Sequence, residues 1–516
     1  MSGNLKVGTP WWVKGDLNGF FGLFSNVLTN FLAAIGLLVL IGMPKDLIFG
    51  NIVPATAIIA GLGGILLALQ AKKLSIETNS KDVTAMPYGL SVPHYFAVVF
   101  GVILVVYLKT NDWTTAWATG VVWNFIQGLI MTIGAFVGPF IRKYIPRAAM
   151  LGALAGLAIT YISMNPAGQV FSTPYLGLIS LAIIFVGWLA LKKLPFGIPA
   201  GAFAIMVGTL IAWLTGYMDP VKVSSSFETV GLSLPGLALH LFVTGFNYIA
   251  PFLPAAIPLA IYDFLESLDN LESAAAEGEE YPVTKALLVP GGLTLLGSFL
   301  GSPFPSIIYI GHPGWKSTGA RIGYSWLTGV SILILAFSGL MNVILNIIPL
   351  VVLLPILMYI GMIIMSQAFS VTEKRHYPAV ALSFIPLIAG FVTLNIKNAI
   401  NAVGGELNYE VLANNGIPLV GWERLAGGDI LVGMMIATIT IFIIDRNYLV
   451  AGTYSIITAV LAFFGFVHAS AIGIGQGKEV ALGYLLAAVV LITMHFYRSQ
   501  DNASAQKLRN EENVSA

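Results

Sequence analysis

The chain is 516 residues long, 57% hydrophobic and 9% charged, with a mean hydropathy of +0.86. A soluble domain carries about a quarter charged residues, so this composition belongs to an α-helical protein that crosses a membrane many times. The formal net charge of +1 argues against a nucleic-acid partner, and the absence of cysteine excludes disulfides, thiolate metal sites and a cysteine nucleophile.

Residues 1–16 lack the succession of a signal peptide and read as a cytoplasmic segment, with Trp11 and Trp12 beside Lys14 as an interfacial anchor. Runs of about 20 apolar residues, long enough to span, lie near 17–41, 50–71, 114–141, 147–164, 174–191, 196–217, 249–276, 283–300, 324–345, 347–368, 377–396, 427–444, 447–467 and 481–497. Two further segments, 85–107 and 301–323, are too short or too interrupted for ordinary spans. The pattern predicts an all-α polytopic membrane protein. Its first half covers 17–217, an interfacial connector 218–248, a second half 249–445, additional spans 446–497 and a disordered cytoplasmic tail 498–516.

With the N-terminus inside, the loops holding Lys72/Lys73, Arg142/Lys143/Arg147, Lys192/Lys193, Lys316/Arg321 and Lys374/Arg375 all fall inside, as the positive-inside rule requires. The connections at 165–173 and 346, free of Lys and Arg, fall outside, and the long polar loop 397–426 is expected there too. The localisation this predicts is integral and multi-pass, in a plasma or inner membrane.

Two interrupted segments share a pattern. The first reads Pro87-Tyr-Gly-Leu-Ser-Val-Pro-His94 and the second Pro305-Ser-Ile-Ile-Tyr-Ile-Gly-His312, and both prolines and both histidines are offset by 218 residues. Upstream, FSNVLTNF (24–31) matches FLESLDNL (264–271), so that Asn26 and Asn30 correspond to Glu266 and Asn270. Two matches in the same order indicate a duplicated unit. An odd number of intervening segments turns the second copy upside down, which is the inverted repeat of secondary transporters, with broken helices meeting near the midplane.

The stretch LAIYDFLESLDNLES (259–273) continues an apolar run and carries Asp263, Glu266, Asp269 and Asn270 at membrane depth. Ionisable groups there are costly and by default mark function. Asp263, Glu266 and Asn270 are spaced by three and four, on one helical face. Glu266 is the strongest candidate for holding a solute or a proton. Asp263 is the candidate proton carrier, or a structural hydrogen-bond partner, and Asp269 points off that face. Half-helices beginning near His94 and near Gly311–His312 would aim N-terminal amides at the same cavity. Gly311 would let a solute approach its amide, Tyr95 and Tyr309 would stack on a planar ligand or else pack, and Asn26 and Asn30 would contribute amides to the site or pair with a neighbouring helix. Histidine as a residue type titrates near neutral pH, which makes His94 and His312 further candidates for the site and for coupling.

These residues resemble the nucleobase–cation symporter-2 group of the nucleobase/ascorbate transporter superfamily, and in particular its azaguanine-resistance-like purine permeases. The eighth span of that branch reads about F-V-D-L-F-D-T-x-G-T; IYDFLESLDN (261–270) keeps Asp263 and places Glu266 at the second acid. The tenth span reads about G-T-S-P-x-T-T-Y-x-E-S, to be compared with GSPFPSIIYIGH (301–312). Weaker similarity continues through 143–159, 354–366 and 377–387. The resemblance implies a seven-plus-seven inverted repeat of the uracil-permease kind, with core and gate domains and short strands in the third and tenth segments. It implies a base-binding role for Glu266 and Tyr309, proton symport, and a homodimer. Two departures stand out: the acid of the tenth segment is Gly311 here with His312 beside it, and the third-segment pattern appears as YGLSVPHYF (88–96).

The expected function is therefore a secondary active transporter of a nucleobase, a purine such as hypoxanthine, guanine or xanthine, by proton symport. The alternative keeps the fold and carries a small inorganic or organic anion by symport or exchange. No cofactor or metal is expected, the coupling ion being H+ or else Na+. The chain has no H-E-x-x-H helix and no G-x-S-x-G elbow, so it does not read as an enzyme.

Overall fold

The computed structural model describes residues 8–195 and 198–514. Among these, eight helices are long and apolar enough to cross a membrane, nine if the bent pair Leu419–Ala426 and Asp429–Ile444 is one span. Shorter apolar helices accompany them. Leu253–Ala276, at 24 residues, has the length of a span but carries Asp263, Glu266, Asp269 and Glu272.

The chain forms two compact units, one of residues 1–142 and 158–367 and one of 143–157 and 368–516. In the first unit, α1 (Asp16–Leu40) and α2 (Val53–Glu77) lead to β1 (Tyr88–Leu90) and α3 (Val92–Val98), which runs through a π-turn into α4 (Leu104–Thr110). Next come α5 (Trp113–Tyr144), then α6 (Arg147–Leu157) of the second unit, and α7 (Asn165–Ser172), α8 (Pro174–Ile184) and α9 (Ala200–Leu214). The connector over 218–248 carries the short helices Pro220–Ser226 and His240–Tyr248.

The same order then repeats. Helices α10 (Leu253–Ala276) and α11 (Val283–Leu300) lead to β2 (Ser306–Ile308), the six-residue α12 (His312–Ser317) and α13 (Gly323–Phe337). The run predicted over 324–345 breaks at Gly339, whose φ of 71° starts a separate helix, Leu340–Ile347. Helix α14 (Leu354–Ser370) closes this part of the chain.

Small residues let the helices of this unit approach closely. A Cβ on Gly329 of α13 would lie 2.3 Å from the Gly61 carbonyl oxygen of α2, and one on Gly64 2.8 Å from the Ser325 oxygen. Asp16 fastens α1 to α13: its Oδ1 accepts from the backbone N–H of Arg321 at 2.7 Å and of Tyr324 at 3.2 Å, satisfying donors at the start of α13.

In the second unit α6 packs on α15 (Tyr377–Ala402) through Gly152 and Gly156, and α16 (Asp429–Ile444) packs on α15 through Gly433. Helices α17 (Tyr448–Phe463) and α18 (Lys478–Val514) follow. The expected 397–426 loop is partly helical, holding the end of α15 and the helices Tyr409–Asn414 and Leu419–Ala426.

Candidate functional site

Prolines at 87, 93, 303, 305 and 313 deny the two interrupted segments a continuous helix. The three-residue strands left between them pair antiparallel, Tyr88 with Ile308, Gly89 with Ile307 and Leu90 with Ser306. A shift of 218 residues, the offset read in the sequence, maps Tyr88↔Ile308 onto Ser306↔Leu90. The pairing is thus its own image, as a two-fold axis between inverted halves requires. Tyr88 and Ser306, equivalent under that shift, are hydrogen-bonded through their hydroxyls at 2.7 Å. Gly89 is needed because a Cβ there would meet the Tyr309 ring at 2.3 Å. Any side chain would displace the phenol.

That phenol is the centre of a buried polar layer. Tyr309 Oη donates to the Leu90 carbonyl at 2.8 Å and accepts from Asn30 Nδ2 at 3.0 Å. Asn30 Nδ2 also donates to Asn26 Oδ1 at 2.9 Å, so both amide hydrogens are used inside the layer. From α10, Asn270 Nδ2 donates to the Ile308 carbonyl at 3.0 Å and Ser267 Oγ accepts the Ile308 N–H at 3.3 Å. Glu266 is 5% exposed, and both it and Tyr95 lie within electrostatic reach of Tyr309. The structure therefore brings together Asn26, Asn30, Tyr95, Glu266, Asn270 and Tyr309. The phenol hydroxyl is held by hydrogen bonds to Leu90 and Asn30.

Asp263 and His94 belong to a second cluster, next to this layer. Ser91 Oγ donates to Asp263 Oδ1 at 2.6 Å, and His94 Nδ1 lies 3.0 Å from Asp263 Oδ2. His94 Nε2 faces Gln127 Oε1 at 3.1 Å, and Gln127 Nε2 donates to the Ala256 carbonyl at 2.9 Å. Both Asp263 and His94 are fully buried.

His312 and Gly311 are placed elsewhere. His312 Nε2 faces Glu279 Oε2 at 3.0 Å and the Thr84 carbonyl at 3.2 Å. Glu279 also accepts the Thr84 N–H at 2.8 Å and pairs with Lys316 at 2.7 Å. Burial alone would push the Glu279 carboxyl up, but His312 and then Lys316 more than offset this and hold it below the usual carboxylate range. Gly311 has a φ of 130°, and a Cβ there would sit 3.0 Å from Ile360 and from Trp315 Nε1. The geometry calls for glycine regardless of any solute.

Sequence reasoning missed Ser91, Gln127, Thr84 and Glu279. The only signal for Gln127 was an amide in an apolar span, and Glu279 sits in the acidic run EGEE (277–280), which reads as a solvated loop. Asp269 is fully buried, with no hydrogen-bond partner on either oxygen among the described residues. Among the described residues no cluster fit to hold a metal occurs.

No protein-family model matches the chain, and no curated protein matches it. Among solved structures the chain is similar to the transmembrane domain of a cyanobacterium bicarbonate transporter, BicA, at 16% identity and a TM-score of 0.45, over 75% of this chain and 97% of that one. It is also similar to SLC26A9, at 12% identity and a TM-score of 0.45, over 84% of this chain and 65% of that one. Both likenesses are distant.

Proposed function

We propose that the protein is a secondary active transporter that carries a small hydrogen-bonding solute in the polar layer where β1 and β2 cross, with proton coupling. The observation that carries this reading is the burial of Asn26, Asn30, Glu266, Asn270 and Tyr309 around two chain breaks, in a unit otherwise built of apolar helices. Polar groups and non-helical backbone are expensive at membrane depth unless they line a solute path. The layer offers donors, acceptors and one carboxylate. The nearby cations are engaged elsewhere, Arg142 with Glu272 at 2.6 Å and Lys316 with Glu279. A neutral planar solute with alternating donors and acceptors, such as a purine nucleobase, suits such a layer.

A second reading, a small anion moved by symport or exchange, is favoured by one feature. Residues 301–312 supply no carboxylate, so Glu266 is the acid of the layer, and one co-transported proton or cation would neutralise it.

Thermal stabilisation of the detergent-purified protein tests both readings, since a ligand that binds only the folded state raises the melting temperature. The panel is hypoxanthine, guanine, xanthine, uracil, bicarbonate and sulfate. A shift with purines that disappears in Glu266→Gln supports the nucleobase reading. A shift with anions alone replaces it. If no member shifts the protein, or if Glu266→Gln retains full uptake in proteoliposomes, the layer is not the solute site.

A further inference from the structure

The hydrogen bonds around His94 tie its protonation to that of Asp263. With Asp263 as the carboxylate, Ser91 Oγ gives its hydrogen to Oδ1 at 2.6 Å, so towards His94 Nδ1, 3.0 Å away, it can only accept. Asp263 Oδ2 is also 3.0 Å from Nδ1, at ion-pair distance but without hydrogen-bond geometry. On the other side of the ring, the orientation of the Gln127 amide is fixed by its 2.9 Å bond to the Ala256 carbonyl, because the reversed amide would set two carbonyl oxygens against each other. Gln127 Oε1 therefore faces His94 Nε2 at 3.1 Å. With Asp263 ionised, both ring nitrogens meet acceptors and both donate.

We infer that Gln127 holds His94 as an imidazolium paired with the Asp263 carboxylate, and that this pair, not Glu266, is the transporter's proton-coupling site. Loss of the proton from Nε2 leaves a lone pair against the Gln127 oxygen, and the amide has to turn over, giving up Ala256 near the start of α10. Loss from Nδ1 to Asp263 needs only the Ser91 hydroxyl to turn towards the ring. The other groups around the pair are Ser91 from its own segment, the Trp123 ring of α5, edge-on at 6.5 Å between centroids, and Glu266 three residues along α10. Ser91 directly follows Leu90, whose carbonyl receives the Tyr309 hydroxyl. A change at the pair is thus one residue away from the bond network Leu90–Tyr309–Asn30–Asn26 of the solute layer. An element with two discrete arrangements joined to both sites is the physical requirement for coupling.

The protonation half of this inference is independent of the transport reading, and the coupling half rests on it. In protein labelled with 15N-histidine, with the His94 signals identified by their loss in His94→Gln, both ring nitrogens carry hydrogen at pH 7.5. In Gln127→Leu one of them is bare, and Gln127→Glu, which restores an acceptor, restores both. A bare ring nitrogen on His94 in the unaltered protein overturns the assignment. For the coupling half, the probe is hypoxanthine in proteoliposomes. Gln127→Leu loses accumulation driven by a proton gradient by about tenfold, the size of one charged hydrogen bond, while hypoxanthine exchange without a gradient holds within about twofold. Equal losses in both modes make Gln127 merely structural and overturn the coupling role. Absence of hypoxanthine exchange in the unaltered protein sinks the nucleobase reading instead, and leaves the labelling result standing on its own.

Discussion

The two broken segments carry the same succession of proline, short strand and histidine, yet their histidines serve opposite ends of the unit. His94 turns to a fully buried carboxylate in the middle of α10, whereas His312 turns to the connection after α10. The repeat explains the difference. At the offset that aligns Glu266 with Asn26 and Asn270 with Asn30, Asp263 aligns with Leu23, and Leu23 is buried in α1. The second histidine has no carboxylate at the equivalent position of α1, where Leu23 stands. It takes Glu279 instead, which already holds the Thr84 N–H and Lys316. A duplicated frame thus fixes where a histidine starts, and a single apolar residue on the facing helix decides where it ends.

The largest effect expected of this comparison is on stability. Asp263→Ala leaves His94 buried against no counter-charge, and breaking a buried pair in this way costs about 3–5 kcal/mol. The measurement is the thermal midpoint in detergent, and the loss should be recovered in part by His94→Leu in the same chain, which removes the stranded charge. A midpoint unchanged in Asp263→Ala would mean the pair is not ionised. His312→Gln is the milder counterpart. Glu279 keeps Lys316 and the Thr84 N–H, so the cost is that of one hydrogen bond to a charged group, about 1.5–3 kcal/mol. Because His312 lies outside the polar layer, the melting shift produced by a bound solute should be the same in this variant as in the unaltered protein. A variant that folds but no longer responds to any solute would return His312 to the site.

Much of this was legible in the sequence for reasons that can be named. Proline and glycine mark chain breaks through backbone geometry alone, and acids in an apolar run are conspicuous whatever they touch. The spacing of Asn26, Asn30, Glu266 and Asn270 put each pair on one helical face without any knowledge of the partner. What stayed hidden depends on long-range contact. Gln127 is an unremarkable amide until His94, 33 residues earlier, is seen against it. Glu279 looks like a solvent-exposed loop acid, yet is 5% exposed because Thr84, His312 and Lys316 close over it. Nor did the letters show that the Tyr309 hydroxyl joins Leu90 to Asn30 beside the strand pair. Pseudo-symmetry in the letters did not extend to partners, since Leu23 and Asp263 differ.

The smallest effect is also the one that separates the two histidines without touching the membrane core. Glu279 lies in the connection between α10 and α11, and its carboxyl is held below the usual value of 4.5 by His312 and Lys316 against the opposing effect of burial. In the unfolded chain the same carboxyl regains its ordinary value, so below that value the unfolded state binds more protons than the folded one. The stability that Glu279 contributes is therefore fully present above pH 4.5 and is lost as pH falls from there through the lower folded value. Removing His312 takes away the largest of the effects that lower the carboxyl, so its folded value moves up towards the unfolded one. In His312→Gln the acid-side decline of the melting temperature should accordingly become shallower, starting from a lower plateau. Glu279→Gln should flatten it further, because an amide has nothing to titrate. If the decline below pH 4.5 is equally steep in all three proteins, the His312–Glu279 pair contributes nothing to acid stability, and the contrast between the two segments reduces to geometry alone.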